Sequence, residues 1–236
     1  MGFLGDFMSI MRKRDVVLIE SRQEAEDVYT FTFDQPEGLS WRAGQYALFT
    51  ITHAKVKAGT KPFSIASSPQ EGVIRLTTRI GARPSDYKQA LRSLKPGMTV
   101  KMSGPVGSFG LTGARPALLI AGGIGITPYR SILPHLAEAS QPVQGPLQLL
   151  YLDSDKAFVH HDTLAELARS IPLQIVCLDE RDKLEQEIGR FAKQYGDRAD
   201  YLIAGPKPFV DSLTASLQQQ GVAKARIKKD AFFGYS

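Results

Sequence analysis

Cysteine is nearly missing from this chain of 236 residues, Cys177 being the single one. A lone thiol excludes an intramolecular disulfide, a cysteine-ligated iron–sulfur cluster and a cysteine-rich zinc site within the chain. It fits a reducing, cytoplasmic compartment, and its place in the apolar run Leu173–Leu178 predicts a small buried hydrophobe. Histidine is scarce as well, and the adjacent His160 and His161 make no metal site by themselves. No apolar run approaches the ~20 residues of a bilayer-crossing helix, so no integral membrane segment is expected. The stretch from Met1 to Arg14 sets apolar residues ahead of three basic ones, lacks a signal-peptide cleavage pattern and reads as a frayed terminus. Dominance of one charge sign is also absent. The 29 Lys and Arg against 24 Asp and Glu leave a formal net charge of +5, scattered along the chain, which argues against nucleic acid as a partner.

What is present changes rhythm near the middle. From Asp15 to about Leu111 the chain shows short alternating or β-branched runs at Val16–Ile19, Val28–Phe33, Tyr46–Ile51, Ile74–Arg79 and Thr99–Met102. Turn residues such as Pro36-Glu37-Gly38, Pro69-Gln70-Glu71-Gly72 and Lys95-Pro96-Gly97 separate them at the spacing of an antiparallel barrel. One helix, Ser85–Leu94, interrupts them, with Ser85 as its N-cap candidate. Past Gly113, apolar runs at Leu118–Ala121, Leu147–Leu152, Leu173–Leu178 and Tyr201–Ala204 alternate with helical patterns at Pro128–Ala139, Thr163–Ser170, Lys183–Tyr195 and Pro208–Gln220. That alternation predicts βα units and a parallel sheet. The expected fold is two-domain, an antiparallel β-barrel over residues 1–112 followed by an α/β parallel-sheet domain over 113–236.

The segment Ala117-Leu118-Leu119-Ile120-Ala121-Gly122-Gly123-Ile124-Gly125-Ile126-Thr127-Pro128 carries the strongest chemical signal. Its apolar residues suit a buried parallel strand, its glycines allow backbone to approach an anion, and Thr127-Pro128 supplies an N-cap and a helix-opening proline. A helix N-terminus there would aim free N–H groups at a pyrophosphate. Tight strand-to-helix turns need glycine in many proteins that bind nothing, so the turn gains weight only beside other motifs.

Those motifs exist, and in order they resemble the ferredoxin–NADP reductase superfamily over nearly the whole chain after Asp15. Lys61-Pro62-Phe63-Ser64 is similar to the family's Arg-x-Tyr-Ser. The resemblance implies that Lys61 neutralises a flavin phosphate, Phe63 packs on the isoalloxazine and the Ser64 hydroxyl approaches flavin N5 as the one catalytic group. Lysine lacks the bidentate geometry of arginine, and phenylalanine lacks the phenol hydrogen bond. Arg79, Gly81 and Ser85 look like the family's second flavin-phosphate site. Gly104-Pro105-Val106-Gly107-Ser108-Phe109 is similar to its barrel-closing turn.

The turn Gly122, Gly123, Gly125, Thr127 and Pro128 then falls where the family binds its nicotinamide dinucleotide. Ala204-Gly205-Pro206 resembles its Cys-Gly-Pro motif, with alanine in the cysteine's place. After the second strand of this domain, Asp153 and Asp155 would accept hydrogen bonds from a ribose diol and repel a 2′-phosphate, which favours NADH over NADPH; Lys156, His160 and His161 could reverse that preference. At the end, Phe232 matches the aromatic of a flavin-covering terminus and Tyr235 could stack on the ring or on adenine, whereas the residues alone equally allow a last strand. The resemblance implies a flavin-dependent NAD(P)H oxidoreductase that binds FAD rather than FMN. With no metal centre of its own, the chain would pass electrons to a separate protein, such as ferredoxin or flavodoxin, or to a small molecule. Lys61 and Ala204 also leave open a non-catalytic adaptor or an electron-transfer subunit of a larger complex.

Overall fold

The computed structural model describes residues 9–139 and 144–232. The chain divides into two compact units, Met1–Gly110 and Leu111–Ser236. The first holds β1 (Lys13–Ala25), β2 (Val28–Asp34), β3 (Tyr46–Thr50), β4 (Thr60–Ser64), β5 (Val73–Arg79), α1 (Asp86–Arg92) and β6 (Thr99–Val106). Its strands form an antiparallel sheet in the order β4-β3-β6-β1-β2-β5. Arg14, read from the sequence as part of a frayed end, sits instead inside β1 opposite Met102.

The ladder order leaves β4 and β5 as the two ends, so the barrel is not closed by a complete strand pair. The chain just past β4 ties these ends together. Ala66 N donates to Arg75 O at 2.8 Å, while Ser67 Oγ accepts from Arg75 N at 3.0 Å and donates to Val73 O at 2.6 Å. These bonds occupy backbone groups that an open edge would leave for another chain. Inside, Phe31, Phe33, Phe49, Leu76 and Met102 are buried together, drawn from alternate positions of neighbouring strands. Helix α1 turns Tyr87, Ala90 and Leu91 inward, and the Tyr87 hydroxyl donates to Phe49 O at 3.0 Å, which satisfies its polar end within the core.

The second unit holds β7 (Ala117–Gly122), α2 (Thr127–Ala137), β8 (Leu147–Leu152), α3 (His161–Leu167), β9 (Leu173–Leu178), α4 (Arg181–Tyr195), β10 (Asp200–Pro206), α5 (Lys207–Gln219) and β11 (Ile227–Phe232). All five strands are parallel, in the order β11-β10-β7-β8-β9. Every residue of β7 is buried, as a central strand covered on both faces requires. On one face Leu118, Ile120, Leu150 and Ile203 pack with Leu184, Ile188 and Phe191 of α4 and with Leu213 and Leu217 of α5. From α2, the buried Tyr129 hydroxyl donates to Ile120 O at 3.1 Å and to Leu202 O at 2.7 Å, pinning β7 to β10. Desolvation there raises the phenol well above its ordinary range, so it stays a donor.

Two expectations are corrected. Cys177 is exposed, because β9 is an edge strand and its odd-numbered face is not fully covered. Thr127 is the first residue of α2, preceded by the 3₁₀ turn Gly123–Ile126, and makes no side-chain cap. Its hydroxyl donates instead to Ile124 O at 3.1 Å inside the turn. Among the described residues, no helix is long and apolar enough to cross a membrane.

Candidate functional site

In the parallel unit, the candidate residues gather at the C-terminal ends of the strands, the end at which open α/β sheets bind ligands. The three glycines after β7 serve different ends. A Cβ on Gly125 would stand 2.1 Å from Ala204 O, so this residue is glycine because the turn lies directly on the β10 backbone. A Cβ on Gly122 would stand 2.9 Å from the Phe209 ring. Only Gly123 meets nothing within 4 Å, and its φ of +53° is the left-handed conformation that disfavours other residues. The close approach of an anion, expected from all three, is therefore compatible with Gly123, while Gly122 and Gly125 are fixed by packing against β10 and α5.

Thr127 and Pro128 are buried behind this turn and do not reach its surface. Gly205 is buried at the end of β10, and Pro206 is exposed just before Lys207 opens α5. No side chain caps the first turn of α5, which leaves backbone N–H groups at that end without a partner from its N-cap. Beneath it, Phe209 fills the space left by Gly122 and Gly205, and the Arg181 guanidinium lies 5.1 Å from the Phe209 ring centre. Ala204 is wholly buried and presents its carbonyl to Gly125.

Asp153 is only 5% exposed and holds its own turn, Oδ1 accepting from Asp155 N at 2.9 Å. The ribose-binding role expected of Asp153 thus falls on a carboxylate already engaged in the loop, whereas Asp155 is exposed. Lys156 Nζ lies 2.9 Å from Asp179 at the end of β9. That ion pair, with Lys183 also near, holds the Asp179 carboxyl below its ordinary range. His161 Nδ1 lies 3.2 Å from Asp162 Oδ1. The loop itself is unusual, since Lys156, Phe158 and His160 all have positive φ, of 54°, 35° and 65°. Such strain is costly in non-glycine residues and concentrates where a loop serves function. Sequence reading missed both this strain and Asp179; the place of Asp179 at a strand's C-terminal end was the available signal.

In the antiparallel unit, Lys61 and Pro62 are exposed on β4 while Phe63 and Ser64 are buried. Phe63 is 6% exposed, stacked on Tyr87 at 5.9 Å and edge-on to Phe49 at 6.1 Å. These contacts place the ring in the core of the unit, packed between Tyr87 and Phe49. At the next turn, Arg79 pairs with Asp27 at 3.2 Å, Gly81 is open, and exposed Ser85 occupies the N-cap position of α1 with no cap bond from its hydroxyl.

Beneath this turn lies a cation that sequence reading did not single out. Lys88 Nζ donates to Thr78 Oγ1 at 3.0 Å and to Arg79 O. Burial, opposed by Asp27, lowers its pKa to about 8. Nothing in a helical pattern distinguishes a lysine that folds under its own helix from one in solvent. Phe232 is half-buried in β11 beside Pro206, the last-strand alternative, and Tyr235 lies outside the described residues. Among the described residues, no group of acidic, histidine or cysteine side chains is placed to hold a metal.

Residues 15–110 match the family described as Oxidoreductase FAD-binding domain. The chain is 28% identical over 207 residues to the toluate 1,2-dioxygenase electron transfer component of Pseudomonas putida, covering 82% of this chain and 59% of that protein. It is 25% identical over 242 residues to a flavohemoprotein of Xylella fastidiosa, covering 94% and 59%. It thus spans about three-fifths of the length of these curated relatives. Among solved structures, a ferredoxin NADP+ reductase from Neisseria gonorrhoeae with bound FAD and NADP shares the fold at a TM-score of 0.79 and 15% identity, covering 94% of this chain and 99% of that one. An FAD/NAD-binding domain of nitric oxide dioxygenase from Vibrio cholerae matches at 0.74 and 22%, covering 93% and 98%. Residues 15–110 thus carry the match to the FAD-binding family, and the antiparallel and parallel sheets share the fold of these solved structures.

Proposed function

We propose that this protein is an NAD(P)H-dependent flavoprotein reductase that passes electrons to a separate acceptor. The observation that carries the reading is the match of residues 15–110 to an oxidoreductase FAD-binding domain, followed by a parallel sheet whose glycine turn leaves Gly123 open. FAD fits the first unit through Lys61, Ser85 and Gly81, which are exposed, with Ser64 and Arg79 beside them. The dinucleotide fits the second through Gly123, Pro206 and the uncapped start of α5, where N–H groups favour a pyrophosphate. When bound, the cofactors supply hydride transfer and one-electron release; the protein binds and orients them.

Ser64 places a hydroxyl at the end of β4, and no acid–base role is assigned to any residue. Asp155 keeps an exposed carboxylate in the loop after β8, where the resemblance puts the adenosine ribose, which favours a diol over a 2′-phosphate and hence NADH. The acceptor is a redox protein, ferredoxin, flavodoxin or an oxygenase component, or a small molecule. The electron transfer component among the relatives favours a reductase working as one part of a larger system. The single cysteine suits a reducing cytoplasm.

The test is the visible spectrum of purified protein reconstituted with FAD, before and after anaerobic addition of NADH and of NADPH. Flavin bands bleached first by NADH are expected. Protein that stays colourless after incubation with FAD and with FMN would sink the reductase reading and leave a non-catalytic adaptor.

A further inference from the structure

Residues 79–88 leave β5, turn, and enter α1. Gly81, Ala82, Arg83 and Ser85 are exposed along this turn, whereas Ile80 before them is buried. The first end is held by Asp27: Ile80 N donates to Asp27 O at 2.6 Å, and the Arg79 guanidinium pairs with the Asp27 carboxylate at 3.2 Å. The second end is held by Gln89, whose backbone N–H donates to Ser85 O at 2.9 Å and whose side chain donates to Pro84 O at 3.0 Å. One side chain joins the two ends. From α1 the half-buried Lys88 reaches back to β5, where its ammonium donates to Arg79 O and, at 3.0 Å, to the hydroxyl of wholly buried Thr78. A lysine stem ordinarily carries its charge out to water; this one draws it in. Lys88 and Arg79 then set two positive charges against the one negative charge of Asp27, an excess that a purely structural tie does not need and that an anion on the turn would neutralise.

Resting on the flavoprotein reading above, we propose that Lys88 is a positioning residue for FAD. Its ammonium ties the two ends of the turn and places excess positive charge behind Gly81 and Ser85, so the turn holds a phosphate while Lys88 is protonated and releases it as that proton leaves. Two effects act together. Charged donors make stronger hydrogen bonds than neutral ones, so deprotonation loosens the tie to Arg79 O. It also removes the excess charge, whose pull on an anion is greatest where protein rather than water lies between them. The proton is labile in an accessible range, because burial lowers the Lys88 pKa to about 8; Asp27, from the turn between β1 and β2, opposes the shift, and Arg79, from β5, adds to it. An anion on the turn favours the ammonium and moves that value back up, so FAD and a proton bind together.

The test is the FAD affinity of the full chain, by isothermal titration calorimetry from pH 7 to 9, in wild type and in Lys88→Met with an unchanged circular dichroism spectrum. Binding of FAD to the protonated form alone makes the wild-type Kd rise about tenfold across this range. Lys88→Met should bind FAD at pH 7 about as weakly as wild type does at pH 9, with no dependence on pH. Stability separates positioning from support: loss of the Lys88 proton strengthens the fold while it weakens FAD binding, whereas a lysine that only supports the fold moves stability alone. Repeating the wild-type titration at pH 8.5 in buffers of different ionisation enthalpy needs no variant, and should show uptake of most of one proton per FAD. An affinity constant from pH 7 to 9 without proton uptake, or a pH dependence that Lys88→Met retains, would overturn the inference and leave the flavoprotein reading standing. Protein that takes up no FAD at any pH would instead fail that reading, and this inference with it.

Discussion

On β4 the aromatic of the Lys61–Ser64 segment turns into the core against Tyr87 and Phe49, while Lys61 beside it stays in solvent. In the glycine turn after β7 the division runs the same way: Gly125 and Gly122 answer to packing, and Gly123 stays open. The two motifs differ in what a packing residue supports. Phe63 fills space in an aromatic core with its side chain, whereas Gly125 lies directly on the backbone of a central strand and leaves no room for a side chain. A motif residue can thus be required by the fold as well as by the ligand, and binding is read most directly from those the interior leaves uncommitted.

The sharpest way to break this comparison is Gly125→Val. A Cβ 2.1 Å from the Ala204 carbonyl forces β7 and β10 apart, and the loss should exceed the ~1–3 kcal/mol usual for overpacking. Thermal unfolding followed by circular dichroism should show the parallel unit lost or strongly destabilised, rather than a folded protein deficient only in dinucleotide binding. A normally stable variant would show that the turn does not rest on β10.

Next in size is Phe63→Ala, which removes a buried ring and should cost ~3–5 kcal/mol. Phe63→Tyr separates core from cofactor. If the ring is core, the added hydroxyl is buried without a partner, stability falls by ~1–3 kcal/mol, and flavin affinity does not improve. A tyrosine variant with unchanged melting temperature and tighter flavin binding would support the stacking role.

Lys88 tests the antiparallel unit through pH. Its folded pKa of about 8 lies below the ordinary lysine value of 10.5, so the fold disfavours the charged form. Between those values the unfolded chain holds more protons than the folded one, and stability contributed by this group rises as pH increases. Denaturant unfolding at pH 7.5 to 10.5 should show that rise, on the order of 2 kcal/mol, and Lys88→Met should flatten it. A wild-type profile with no rise attributable to Lys88 would mean that its ammonium stays solvated.

These contrasts also mark what the sequence could reveal. Element type was legible because period-two runs before Gly113 and alternating strand and helix patterns after it are dictated by which faces are buried; β8 and β9 fall on the expected residues. The exposure of Cys177 was not legible, because an apolar run looks the same at a sheet's edge as at its centre until strand order is known. The burial of Phe63 and the buried contacts of Lys88 depend on long-range packing, which local spacing does not encode. Glycine identity in the turn was evident, but its separate causes required the position of β10.

Gly123→Ala sharpens the comparison with the smallest expected change in stability. Nothing lies within 4 Å of the added methyl, so the cost is the left-handed backbone alone, ~1–2 kcal/mol. The same methyl projects into the open side of the turn, where an anion would approach the backbone. Isothermal titration should show NADH affinity reduced about tenfold or more, with flavin content unchanged. Equal NADH affinity in a variant that is destabilised as expected would mean that the dinucleotide does not approach Gly123. The binding role would then shift to the start of α5, where Lys207→Glu places an anion against the same ligand and should weaken it through charge repulsion.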